Sequence, residues 1–133
     1  MPKDPQPPVA AVLAFIDAVN RADVNRLAEL MLPDHELRVL NEPPVVGIEA
    51  NTTGWRGYVS SFPQYVIYPH RISKHQGTVA VLGHTTGSHL GLPDDKEIPL
   101  TVIWVANVTH GKLSLWRILE DTPANRQTFG LAE

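Results

Sequence analysis

The sequence predicts an α+β fold, in which helices pack against one side of an antiparallel sheet. Two observations lead to this class. The first half of the chain carries apolar residues at helical spacing, whereas the second half carries four segments rich in β-branched and aromatic residues. Turn signals separate these segments, so they are expected to form a meander. Helices segregated to one side of such a sheet define the α+β class.

Three helices are expected before the strand-rich half. The first spans residues 9–20, and the second begins at Asp23, a suitable N-cap, and ends before Pro33. The third covers residues 48–62, and a short strand at residues 36–40 precedes it. The helical half therefore reads helix, helix, strand, helix.

Four strands and a short terminal helix follow. The strands are expected at residues 65–73, 78–89, 98–108 and 113–120. The charged run Asp94-Asp95-Lys96-Glu97 is expected to be a solvated hairpin tip. After the last strand, Thr122 and Pro123 have the residue types of an N-cap and a first helical position, and Asp121 is expected to help cap that helix.

Length and composition indicate one globular domain. The chain has 133 residues, 43% of them hydrophobic and 19% charged, which is enough to bury one core. Residues 1–8 are rich in proline and are expected to be a flexible lead-in, with the domain at residues 9–133.

Several functional classes are disfavoured by the same composition. A formal net charge of −3 and the lack of a basic stripe argue against nucleic acid as a partner. No apolar run approaches the ~20 residues that span a bilayer, so no membrane association is expected. The chain has no cysteine and no signal-peptide pattern, which favours a cytoplasmic location. No cofactor motif is present, and none is expected to bind.

Three stretches resemble the NTF2-like superfamily, in particular its SnoaL-like and ketosteroid-isomerase-like branch. They are Phe15–Asp23, Pro43–Gly47, and Thr86–Gly91 followed by Thr109–Leu113 and a strand that ends in Glu120-Asp121-Thr122. The resemblance covers nearly the whole domain. It implies a cystatin-like cone, with three N-terminal helices packed in a curved antiparallel sheet. The open end of such a cone leads to a pocket for a hydrophobic small molecule.

Alternation along the strands predicts which side chains face the inside of the cone. The inward set is Val79, Val81, Gly83, Thr85 and His89, then Val102, Trp104, Ala106 and Val108, then Ser114, Trp116, Ile118 and Glu120. The opposite face is also apolar, with Leu82 and Ile103 on it, and His84 has this outward phase. A sheet that is apolar on both faces needs a second cover, so a homodimer through the outer face is expected, as the resemblance also implies.

The residues of ketosteroid isomerase chemistry are replaced. That mechanism needs a carboxylate base and an oxyanion hole made by a tyrosine and a neutral aspartic acid. By the resemblance, Phe15 stands in the place of the tyrosine and Trp104 in that of the neutral acid, while Arg38 or Val39 stands in place of the base. Ile118 occupies a place where many SnoaL-like proteins carry a carboxylate or an amide. Ketosteroid isomerase activity is therefore not expected.

Two residues remain as candidates for proton transfer. His89 has the inward phase near the mouth, where an imidazole can act as acid or base near neutral pH. The alternative is a turn histidine that hydrogen-bonds to the backbone. Glu120 also has the inward phase and is the second candidate.

An aromatic lining is expected to hold the ligand, formed by Trp55, Tyr58, Trp104 and Trp116. Phe15 and Ile118 are also expected to contact the ligand. The alternative is ordinary core packing, the commoner role of large aromatic side chains. The remaining histidines are scattered, and no spacing indicates a metal site; they are His35, His70, His75, His84 and His110.

The sequence leaves three functions open. The first is a SnoaL-like isomerase, cyclase or hydrolase acting on a hydrophobic, cyclic substrate. The second is a binding module that holds such a molecule without converting it. The third is an accessory subunit that binds another protein through its sheet face. A cavity fully plugged by Trp104 and Trp116 would exclude the first two functions and leave the third.

Overall fold

The computed structural model describes residues 7–132, and a single six-stranded sheet is its framework. The strands are β1 (Met31–Val39), β2 (Val45–Val46), β3 (Val66–His75), β4 (Thr78–Thr86), β5 (Val102–Thr109) and β6 (Lys112–Glu120). Their order across the sheet is β2-β1-β6-β5-β4-β3. All neighbours are antiparallel except β1 and β6, which are parallel, so the sheet is mixed rather than purely antiparallel.

Five helices accompany the sheet: α1 (Pro8–Asn20), α2 (Val24–Glu29), α3 (Ile48–Ser61), α4 (Asp94–Glu97) and α5 (Pro123–Thr128). The predicted caps are present in two of them. Asp23 accepts a hydrogen bond from the backbone N–H of Arg26 at 3.1 Å, and Thr122 accepts one from that of Asn125 at 3.0 Å. The predicted lead-in lies outside the described residues except for Pro7 and Pro8, and Pro8 already belongs to α1.

The first strand begins earlier than predicted. β1 starts at Met31 and runs through Pro33, a residue that was expected to end a longer second helix. The pairing with β6 explains this difference, because its register shifts between Met31 and Glu36. A proline cannot donate a ladder hydrogen bond, but a bulge does not require one there.

The four strands predicted for the second half are confirmed as β3 to β6, but β4 ends earlier and β5 begins later than predicted. β4 stops at Thr86 because Gly87 has a left-handed φ of 69°, and a side chain there would meet the backbone of Gln64. β5 starts at Val102 rather than near residue 98, since α4 and the turn after it take up the preceding residues.

The inner face of the sheet packs against α1, α2 and α3. The predicted phase is confirmed for β4 and β5: Val79, Val81, Trp104 and Ala106 all belong to the main core. In β6 the core residue is Leu113 rather than the predicted Ser114, because a register shift between Asn107 and Val108 changes the phase. Helix α1 also joins the sheet through Asn20, whose side chain exchanges two hydrogen bonds with the backbone of Ile67.

The outer face of the sheet carries a second apolar cluster, which the C-terminal segment of the same chain covers. Its buried members are Ala80, Leu82, Ile103, Val105 and Leu131, with Leu119 and Phe129 packed against them. Part of the face that was expected to need a second subunit is thus covered from within the chain. The homodimer stays a prediction. Within residues 7–132, no helix is both long enough and apolar enough to cross a membrane.

Candidate functional site

An aromatic cluster centred on Phe15 lies in the interior between the helices and the sheet. The Phe15 ring lies 4.8 Å from that of Trp116, 6.0 Å from that of His35 and 6.3 Å from that of Trp55. Trp104 stacks on Trp116 with a centroid distance of 6.4 Å. All five side chains are buried, so the predicted tryptophans do lie inside the cone.

Five buried polar atoms of this interior have no hydrogen-bond partner among the described residues. They are His35 Nε2, Asn51 Oδ1 and the indole Nε1 atoms of Trp55, Trp104 and Trp116. Leaving one such group without a partner costs about 1–3 kcal/mol, and nearly all buried polar groups in native proteins have a partner. The described chain itself supplies no partner for these five atoms.

His35 presents a neutral nitrogen base to this interior. Its Nδ1 lies 2.8 Å from the carbonyl oxygen of Leu113. A carbonyl oxygen only accepts, so Nδ1 carries the proton and Nε2 keeps its lone pair. Burial lowers the pKa of His35, against smaller opposing effects of the Leu113 carbonyl and two neighbouring carboxylates. The ring is therefore an unprotonated base at neutral pH.

Asn51 fixes the elements that hold His35 and Trp55. Its side-chain nitrogen donates to the carbonyl oxygens of Gly47 at 2.8 Å, Val45 at 3.1 Å and His35 at 3.2 Å. Because all three partners are acceptors, the amide nitrogen faces them and Oδ1 is left as the unpaired atom. Asn51 thereby connects β1, β2 and α3 at one point.

Sequence reasoning missed both His35 and Asn51. His35 was placed among the scattered histidines, because its inward direction depends on the β1–β6 bulge. Asn51 carried no signal at all, since an asparagine in a helix is usually exposed.

The two predicted proton-transfer residues, His89 and Glu120, are exposed at the surface. His89 Nδ1 lies 2.9 Å from the hydroxyl of Tyr58, and its backbone N–H donates to the same oxygen at 3.2 Å. Glu120 keeps the predicted register, opposite Val102, but lies exposed at the end of β6.

The entrance region around Tyr58 contains a buried carboxylate that was not expected. Glu97, predicted to be part of a solvated tip, is 1% exposed. It accepts hydrogen bonds from the Thr85 hydroxyl and from the Ser88 backbone N–H, and these partners stabilise it in the interior. Burial, with smaller contributions from Tyr58 and Glu97, raises the pKa of Tyr65 well above its usual range. The entrance is therefore more polar than the sequence suggested.

The remaining predicted lining residues lie at the edge of the aromatic cluster. Tyr58 is half-buried, with its ring 6.2 Å from that of Trp55, and Ile118 is half-buried against the core. Three surface clefts of residues 7–132 lie elsewhere, two beside the C-terminal segment and one beside α2. Across the described chain, no group of three or more His, Asp or Glu side chains could hold a metal ion.

The fold and this aromatic interior define a SnoaL-like domain. Residues 12–116 match the family model described as "SnoaL-like domain", and the chain belongs to that family. Among curated protein sequences, no relative matches this chain.

Solved structures agree with the family assignment. The chain is similar to an uncharacterized cystatin-fold protein from Novosphingobium aromaticivorans, with 19% identity, 86% of this chain and 99% of that chain covered, and a TM-score of 0.74. It is also similar to a putative SnoaL-like polyketide cyclase from Jannaschia, with 20% identity, coverage of 99% and 100%, and a TM-score of 0.69. A third is an LEH-like epoxide hydrolase from M. tuberculosis, with 20% identity, coverage of 86% and 82%, and a TM-score of 0.67. The predicted NTF2-like, cystatin-like fold is thereby confirmed.

Proposed function

We propose that the interior around Phe15 binds a small, flat organic molecule, and that His35 transfers a proton to and from it. The protein would then be an enzyme of isomerase, cyclase or hydrolase type. The observation that carries this proposal is the set of five buried polar atoms without partners. The polyketide cyclase and epoxide hydrolase among its structural neighbours are consistent with it.

The chemistry of the unpaired atoms defines the ligand. Three indole N–H groups are donors, whereas His35 Nε2 and Asn51 Oδ1 are acceptors. The matching molecule has an apolar ring body, at least one carbonyl or ether oxygen, and at least one hydroxyl or acidic C–H group. Rings of this kind also pack well against the tryptophan faces.

The same arrangement supports a proton transfer. His35 Nε2 would remove a proton next to the ligand carbonyl, and the indole N–H groups would stabilise the negative charge that develops on the carbonyl oxygen. The Nδ1–H group would continue to donate to the Leu113 carbonyl oxygen and keep the ring oriented. Return of the proton to another ligand atom completes an isomerisation. Alternatively, the enolate adds to a second carbonyl carbon of the same molecule and closes a ring; the C=O π electrons move to the oxygen, and the resulting alkoxide takes the proton back from His35 Nε2.

Binding can be tested with two related compounds, 6-hydroxy-1-tetralone and 1-tetralone. Both are flat and carry a carbonyl, but only the first can donate a hydroxyl hydrogen bond to His35 Nε2. All three tryptophans of the chain belong to the cluster, so intrinsic fluorescence reports on this site. We expect the hydroxylated compound to bind up to about tenfold more tightly, the value of one good hydrogen bond, and His35→Phe to abolish that difference.

Two outcomes would contradict the binding proposal. One is that neither compound changes the fluorescence or the melting temperature. The other is that His35→Phe keeps the preference for the hydroxyl group. Circular dichroism of the variant shows whether the fold is intact.

Catalysis is tested separately by hydrogen exchange. In D2O, the protein should accelerate loss of the NMR signal of the protons next to the carbonyl of 1-tetralone, which has no hydroxyl to occupy His35 Nε2, and His35→Gln should stop this. The variants His89→Gln and Glu120→Gln test the roles predicted from the sequence in the same assay.

A second candidate function is a binding module without catalysis. The exposure of both His89 and Glu120 favours it, because the residues first expected to move protons lie outside the interior. Binding of the tetralones without any acceleration of exchange would support this second function and refute the first.

A further inference from the structure

Two histidines meet on the outer face of the sheet, away from the aromatic interior. His70 Nε2 on β3 lies 2.6 Å from His84 Nδ1 on β4. The Tyr68 ring stacks on that of His84 at 4.6 Å, with an angle of 15° between the planes, and holds it in place. His70 is exposed and His84 is partly exposed, so both rings are accessible to solutes.

The backbone is shaped to bring these side chains together. The pairing of β3 with β4 shifts register between Pro69 and Arg71, which makes His70 the extra residue of a bulge. A bulge redirects a side chain that plain alternation would place elsewhere, and bulges are frequent near functional sites. The opposite strand has Gly83 at this point, where an added Cβ would overlap the carbonyl oxygen of Tyr68. The close approach of the strands therefore requires glycine.

We propose that His70 and His84 bind a divalent transition metal ion, with Zn²⁺ or Cu²⁺ as the best fit. Imidazole nitrogens suit both ions, and solvent can supply the other ligands at an exposed site. With metal–nitrogen distances of about 2.0–2.1 Å and tetrahedral angles, the two nitrogens would stand about 3.3 Å apart. The observed nitrogens are 2.6 Å apart, so the exposed His70 ring would have to turn away from His84 to admit the ion.

The surrounding charges are compatible with a bound cation. The Glu97 carboxylate interacts electrostatically with the His84 ring, and its negative charge would attract a cation. The Arg71 guanidinium on the same strand donates to the carbonyl oxygen of Leu131 at 2.6 Å, so the C-terminal segment engages it.

The test uses Zn²⁺ alone, in competition with a fluorescent zinc indicator at pH 7.5. The variants are His70→Gln and His84→Gln, and the matched control is His75→Gln, which removes an exposed histidine farther along the same strand. We expect each of the first two substitutions to weaken binding at least tenfold, because each leaves one imidazole, and the control to stay within twofold. Melting curves without metal should be nearly unchanged, since His70 is exposed.

Copper supplies an independent readout. The electron paramagnetic resonance spectrum of bound Cu²⁺ should show coupling to two imidazole nitrogens in the wild-type protein and to one in either variant. The proposal is overturned if the wild-type protein binds Zn²⁺ no more tightly than the two variants, or if His75→Gln weakens binding as much as they do. Neither result would affect the function proposed for the interior, which lies on the other face of the sheet.

Discussion

Replacing Asp121 with asparagine should loosen the C-terminal segment from the sheet. The Asp121 carboxylate receives two hydrogen bonds from the Arg126 guanidinium, at 2.6 and 2.7 Å, and one from the Thr101 hydroxyl. Its side chain is only 10% exposed. Asp121 was expected to help cap α5, but it forms this ion pair instead, and Thr122 alone supplies the cap.

The pKa of Asp121 gives the size of the effect. The Arg126 hydrogen bonds, with help from Thr101 and against the effect of burial, lower this pKa from 3.8 to about 2. A shift of this size corresponds to about 2 kcal/mol of stability. For a carboxyl whose folded pKa is lowered, this stability is fully present above pH 3.8 and is lost as the pH falls through about 2.

The assay is urea unfolding followed by tryptophan fluorescence at pH 7, 4 and 2.5. We expect Asp121→Asn to lower the free energy of unfolding by about 2 kcal/mol at pH 7, with a smaller difference at pH 2.5. The control is Asp17→Asn, which breaks a pair with Arg21 whose side chains are 62% and 74% exposed. That change should cost less than about 0.5 kcal/mol. Equal losses in the two variants, or a difference that does not depend on pH, would refute the reasoning.

Four further outcomes are expected from the same unfolding assay. Gly83→Ala should destabilise by about 1–3 kcal/mol, because the new methyl group would overlap the Tyr68 carbonyl, whereas Gly54→Ala, with open space around it, should stabilise by about 0.5–1 kcal/mol. Leu131→Ala should cost about 2–5 kcal/mol, since Leu131 is 0% exposed within the outer cluster; a small loss would show that the segment does not cover that face. Because the pKa of His35 is lowered from 6.5, stability should fall as the pH drops below that value, and His35→Gln should flatten this dependence.

The sequence predicts the features that depend on local pattern. Side chains alternate between the two faces of a strand, so Trp104 and Ala106 lie on the same face of β5 independently of the neighbouring strands. The third helix was predicted within one residue, because Gly47 and Pro63 flank a segment that contains no proline. These positions need no knowledge of distant parts of the chain.

The candidate site depends instead on contacts between distant residues. His35 faces inward because β1 pairs with β6 around a bulge, and its Nδ1 partner, Leu113, lies in the last strand. Glu97 sits in a charged run of the kind usually found on surfaces, yet Thr85 and Ser88 satisfy its carboxylate in the interior. The sequence pattern within one segment cannot reveal its contacts with a distant segment. The aromatic residues of the site were therefore predicted, whereas the polar residues close to them were not.

The position of β6 in the sheet also affects how the chain reaches its native state. β1 has only the two-residue β2 and the late strand β6 as neighbours, so the helical half cannot complete its sheet until the C-terminal strand joins it. Contacts between residues so far apart slow folding, because a long loop must close first. During synthesis, β1 lacks this partner until residues 112–120 leave the ribosome. A chain that stops before β6 would leave this edge of β1 unpaired, and it should require chaperones or aggregate.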